Sequence, residues 1–76
     1  MYILQCVGEL MKNNVKIARI KLSMNQQDLA HKVGVARQTI GLIEKGEYNP
    51  SLNLCIALAK SLNKTLDELF WEVESE

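Results

Sequence analysis

The stretch from Asn25 to Gly46, NQQDLAHKVGVARQTIGLIEKG, leaves this chain few folds to choose from, because two apolar rhythms of helical period are separated by one glycine and closed by another. Leu29, Ala30 and Val33 recur at the three- and four-residue spacing of a single buried helix face. Gly34 then supplies a residue that tolerates positive φ where that helix must stop. Past Val35 and Ala36 the rhythm resumes with Ile40, Ile43 and the alkyl part of Glu44, and Gly46 is the next helix stop. Gln38, Gly41, Leu42 and Lys45 fall on the opposite face of this second helix. The spacing predicts two short helices joined by a tight turn, the second presenting its polar side chains outward.

The offsets within this stretch matter more than any one residue. Ala30 is small enough to let two helices approach, Gly34 turns the chain four residues later, and Ile40 and Ile43 clamp the second helix. Together with Gln26 opening the first helix and RQTIGLIEKG forming the second, these residues resemble the helix-turn-helix of the phage repressor and Cro (XRE-type) family of bacterial transcription regulators. The resemblance extends roughly from Val15 to Phe70 and takes in GEYNPSL and the closing TLDELF. It implies an all-α, five-helix, lambda-repressor-like domain that binds double-stranded operator DNA as a homodimer and regulates transcription, chiefly by repression, in a bacterial or phage-infected cytoplasm at the nucleoid.

Length and charge fit that expectation. A chain of 76 residues is one domain, and at this size folding buries only about 60% of the unfolded surface. No apolar run approaches the roughly 20 residues that a bilayer demands, so no membrane partner is expected. Residues 1–10 lack a basic leader and make a poor signal peptide. The net charge is zero, but it is unevenly spread. Lys12 to Lys45 carries seven bases (Lys12, Lys16, Arg19, Lys21, Lys32, Arg37, Lys45) against two acids (Asp28, Glu44), while the rest carries two bases and seven acids. A basic half beside an acidic half suits a protein with one face toward phosphate, and it also suits an ordinary dipolar surface.

Enzyme and metal chemistry find little footing. One histidine, His31, and two distant cysteines, Cys6 and Cys55, cannot make a four-ligand zinc site, and no nucleophile stands near a base in the pattern. No catalytic residue, cofactor or metal is expected. Each cysteine reads as a small buried hydrophobe in a reducing cytoplasm.

Taken in order, residues 1–13 form an arm outside the family pattern, 14–73 the DNA-binding domain and 74–76 an acidic tail. The run YILQCV is β-prone; it reads as a short strand pairing with a symmetry mate, as an appended arm, or as an overextended start ahead of Met11. The first helix is predicted over 14–22, capped by Asn13 or Asn14, with Val15, Ala18 and Leu22 inward. Arg19 lies among them, and the family resemblance pairs it with Glu44 in a structural ion pair. Asn25 caps the second helix, placing Gln26 at its positive end, where the resemblance assigns a phosphate contact.

Arg37 and Gln38 head the second helix of the motif, and their side chains match the donor and acceptor patterns of guanine and adenine in the major groove. Thr39 on the flank and Leu42 on the outward face complete the candidate base readers, Leu42 through a thymine methyl or, equally open, through a protein contact. Two residues depart from the family: Ala36 replaces the usual Ser or Thr cap, and Gly41 stands where a polar side chain is common. Lys45, Tyr48 and Asn49 are candidates for phosphate, with packing under the loop the other reading of Tyr48.

Pro50 and Ser51 start another helix, apolar almost all round from Leu52 to Leu62, in which Leu54 and Leu58 form a surplus stripe. Thr65 and Glu68 make a capping box for a last helix bearing Leu69, Phe70 and Trp71. Leu54, Leu58 and Trp71 are the candidate dimer contacts. The acidic region from Asp67 onward keeps a second reading open, an antitoxin-like module that docks on a basic protein partner.

Overall fold

The computed structural model describes residues 13–71. The arm expected over residues 1–13, with Cys6, lies outside that range but for Asn13, as do residues 72–73 of the expected domain and the acidic tail, 74–76. Four α-helices follow one another: α1 (Val15–Lys21), α2 (Gln26–Val33), α3 (Arg37–Lys45) and α4 (Leu52–Leu62), then a five-residue π-helical segment, Asp67–Trp71. The described residues contain no strand. α2 packs against α3 and α4, and α1 against α3 and α4.

Most helix boundaries have a local cause. Asn25 begins α2 with a reciprocal box: its side chain accepts from the Asp28 N–H at 2.7 Å, and the Asp28 carboxylate accepts from the Asn25 N–H at 3.1 Å. Gly34 ends α2 at φ 77°, with its N–H donating to the Ala30 carbonyl at 2.8 Å. A Cβ there would meet nothing within 4 Å, so the backbone angle and not crowding demands glycine. Gly46 closes α3 in the same left-handed conformation. Ser51 caps α4 through the Leu54 N–H, and Thr65 and Glu68 exchange the two bonds of the expected box. Two stops were invisible in the sequence: Ser23 and Asn63 both adopt φ 59° just beyond α1 and at the end of α4.

The core is one cluster. Val15 and Ala18 from α1, Leu29 and Ala30 from α2, Ile40 and Ile43 from α3, Leu58, Ala59 and Leu62 from α4, and Leu69 from the last segment are all buried together. Two expectations are corrected here. Leu58, assigned to a surplus stripe and a dimer contact, is fully buried inside its own subunit. Leu54 is half-buried against the same core, and the apolar side chains of α4 that do face solvent are Leu52 and Ile56. Leu22, expected inward, is exposed, because α1 ends one residue earlier and the chain turns there.

The start of α1 ties distant parts together. Asn14 occupies the capping position of the helix without a side-chain capping bond, and it is the side-chain oxygen of Asn13 that accepts from the Val15 N–H, at 3.1 Å. The Asn13 amide donates to the Ile43 carbonyl at 2.8 Å, near the end of α3. Asn14, buried, donates from its side chain to the Glu68 carbonyl at 2.7 Å and from its backbone to that of Leu69 at 2.8 Å. The terminal segment therefore has two carbonyls claimed from outside it, and it is wound as a π-helix rather than the expected α-helix.

Candidate nucleic-acid interface

α2, the Gly34 turn and α3 present a nine-residue helix whose inner face is Ile40 and Ile43 and whose outer face is open. Arg37 and Gln38 at its tip are exposed, Leu42 is 38% exposed one turn on, and Thr39 is half-buried on the flank. Lys45 at the far end of the outer face and Tyr48 and Asn49 beyond it are exposed as well. No side chain caps the start of α3: Ala36 has the extended backbone of a capping residue (φ −73°, ψ 150°) but nothing with which to accept. The start of this helix, where the Thr39 N–H donates to the Ala36 carbonyl at 3.0 Å, thus carries the positive end of the dipole with no side-chain acceptor upon it.

Behind the tip lies a polar chain of four residues. The Arg19 guanidinium donates from Nε to Glu44 Oε2 at 2.7 Å and from Nη2 to Glu44 Oε1 at 3.3 Å, with the two side chains only 10% and 4% exposed. Arg19 Nη1 also donates to the Met24 carbonyl at 2.8 Å. Glu44 Oε1 accepts a further bond from Gln26 Nε2 at 3.0 Å, and Gln26 Oε1 in turn accepts from Arg37 Nη1 at 3.0 Å. The chain so formed runs from the buried ion pair to the exposed tip of α3. Gln26, expected at phosphate, bonds through both ends of its amide within the protein, and neither bond uses the second N–H of its Nε2. The family resemblance anticipated the Arg19–Glu44 pair, but sequence reasoning had no signal for the two bonds of Gln26, whose partners are 18 and 11 residues away.

Gly41 lies against Gln26, and a Cβ at Gly41 would stand 3.7 Å from Gln26 Nε2, an ordinary contact. The free protein thus imposes no close approach that only glycine permits.

Elsewhere the chemistry is sparse. Among the described residues no group of three or more His, Cys, Asp or Glu side chains could hold a metal, and no helix is long and apolar enough to cross a membrane. Cys55 is a half-buried free thiol whose Sγ lies 3.9 Å from the Pro50 carbonyl, and burial raises its pKa. The Glu68 carboxylate is held below the usual range, first by the Thr65 N–H it accepts from and then by Lys64 and the Thr65 hydroxyl.

An outward-facing second helix, set by a glycine turn on a four-helix scaffold, defines the helix-turn-helix class. The helix-turn-helix family model matches residues 15–69, and the chain belongs to this family of repressor- and Cro-like DNA-binding transcriptional regulators. Its relatives include an uncharacterised HTH-type transcriptional regulator of Archaeoglobus fulgidus, 42% identical over 66 residues that cover 87% of this chain and 93% of the relative. The uncharacterised regulator YgzD of Bacillus subtilis is 43% identical over 61 residues, covering 80% and 92%. The control protein C.SmaI of Serratia marcescens is 35% identical over 63 residues, covering 83% and 75%. Among solved structures, the restriction-modification controller protein C.AhdI of Aeromonas hydrophila superposes with a TM-score of 0.68 at 29% identity, over 72% of this chain and 83% of that one.

Proposed function

We propose that this protein binds double-stranded DNA sequence-specifically as a homodimer and represses transcription from a pseudo-palindromic operator. The observation that carries the reading is the tip of α3, where Arg37 and Gln38 are exposed beside an uncapped helix start. In this reading Arg37 reads guanine and Gln38 adenine in the major groove, and Leu42 meets a thymine methyl, with Thr39 on the flank. Gln26, Lys45, Tyr48 and Asn49 grip phosphate on the strand beside the groove. Trp71, 80% exposed, and Leu54 stand as the dimer contacts, Leu58 being committed to the core. Arg19 and Glu44 hold α3 and take no part in reading. A cytoplasmic, nucleoid-associated protein follows from such a role.

Selection of bound duplexes from a random pool tests the symmetry and the readers together. Two-fold symmetry predicts half-sites about one helical turn, roughly 34 Å, apart, and binding that falls steeply with salt. Arg37→Ala is expected to cost about 1–3 kcal/mol at the selected site and to relax preference at one base pair. An unchanged ratio between matched and scrambled duplexes would remove Arg37 as a reader.

A further inference from the structure

We infer that Gly41 is the point at which α3 lies directly against DNA, its bare backbone receiving the C5-methyl group of a thymine; this deepens the proposed reading of DNA by α3 and rests on it. Glycine is, after proline, the residue least suited to a helix interior, and Gly41 stands at the middle of a nine-residue helix with no positive φ to require it. Packing does not require it either: a Cβ there would meet only two atoms of the Gln26 amide, at 3.7 and 4.0 Å. Gly34 and Gly46, the stops of α2 and α3, have the reason that Gly41 lacks, since both hold left-handed backbone angles. A glycine that the free protein does not use, on the face it turns outward, has its use in what that face meets. Backbone bared by glycine can approach a ligand more closely than any side chain allows.

The chemistry around Gly41 identifies the group it receives. Gly41 lies one helical turn from Arg37 and from Lys45, and beside Leu42, which is 38% exposed. Its own N–H is engaged inside the helix with the carbonyl four residues back, so Gly41 offers a phosphate no donor. With Leu42 it forms an apolar spot between the polar side chains of Arg37, Gln38 and Lys45. Among the groups that base pairs display in the major groove, the thymine methyl is the apolar one. The absent side chain leaves room for that methyl, with Leu42 as one wall and the Gln26 amide behind it.

The test uses the duplex selected from a random pool and a series in which each thymine in turn is replaced by uracil, which removes the methyl and nothing else. The unmodified protein, Gly41→Ala and Gly41→Gln are titrated against each duplex, and thermal unfolding is followed without DNA. Both variants should unfold at a higher temperature than the unmodified protein, because Ala and Gln suit a helix interior better than Gly; weaker binding is then not the mark of a damaged fold. Gly41→Ala should bind the selected duplex roughly 10-fold less tightly, the low end of forcing an extra carbon into a packed contact, and Gly41→Gln less tightly still. For the unmodified protein, uracil at one thymine of each half-site should cost roughly 3- to 5-fold, the scale of one buried methyl. In Gly41→Ala the same replacement should cost nothing or restore part of the binding. Binding by either variant as tight as that of the unmodified protein would overturn the inference, as would a loss that no uracil replacement alters. Arg37→Ala separates this inference from the wider reading. If that variant relaxes preference at one base pair while no thymine couples to Gly41, α3 reads DNA and the methyl contact alone falls; if no duplex is selected at all, both fall.

Discussion

The two ends of α3 are built in opposite ways. Its C-terminal half is anchored: Glu44 is paired with Arg19, the Ile43 carbonyl accepts from Asn13, and Gly46 turns the chain in a left-handed conformation. Its N-terminal end has no side-chain cap, and among the described residues the side chain of Arg37 makes one hydrogen bond, to Gln26. A helix fixed at the root and open at the tip can hold a reading direction while leaving its positive end and first side chains available to a ligand. Capping the tip as fully as α2 is capped would fill the groups that DNA would use.

The largest test of this contrast is at the root. Arg19→Ala should destabilise the fold by about 3–5 kcal/mol, because it leaves the Glu44 carboxylate buried without its partner; the denaturant midpoint measures it. A loss under about 1 kcal/mol, the worth of an exposed pair, would mean that α3 is held by packing alone. At the middle of the helix, Gly41→Ala should stabilise by about 1 kcal/mol through helix propensity, since the added Cβ meets only ordinary contacts. A destabilised variant would show that the space beside Gln26 is needed.

At the tip, Ala36→Ser should also add about 1 kcal/mol, because the backbone there already has a capping conformation that lacks only an acceptor. Thermal unfolding of the two variants side by side sets tip against middle. The smallest effect lies far from α3. The pKa of Glu68 is lowered in the folded state, so its contribution is present above the ordinary glutamate pKa and fades as pH falls through the lowered value. Glu68→Gln should therefore flatten slightly the loss of stability on acidification and leave DNA binding untouched at neutral pH.

Much of the motif was legible before any coordinates. The spacing of Leu29, Ala30, Ile40 and Ile43 marked the inner faces of α2 and α3, and Gly34 and Gly46 marked the stops. These signals are local: period, cap and positive φ are written within a few residues of where they act. α4 was read less well for a reason of the same kind. With apolar residues on nearly every side, its sequence contains several stripes of helical period, and only the positions of α1 and α2 decide that Leu58 goes inward while Leu52 stays 67% exposed.

What the sequence alone determined about this protein is therefore its elements and its family: the glycine-broken double rhythm admits one arrangement of α2 and α3, and the agreement from Val15 to Phe70 extends it to the domain. The tertiary structure decided the rest. It chose the buried stripe of α4, set Asn13 and Asn14 to tie the terminal segment and α3 to the start of α1, and aligned Arg19, Glu44, Gln26 and Arg37 in one chain of polar contacts. The physical reason is range. Helix periodicity is repeated along the chain, whereas a hydrogen bond between residues 11 to 54 positions apart exists only once folding has brought them within 3 Å or so.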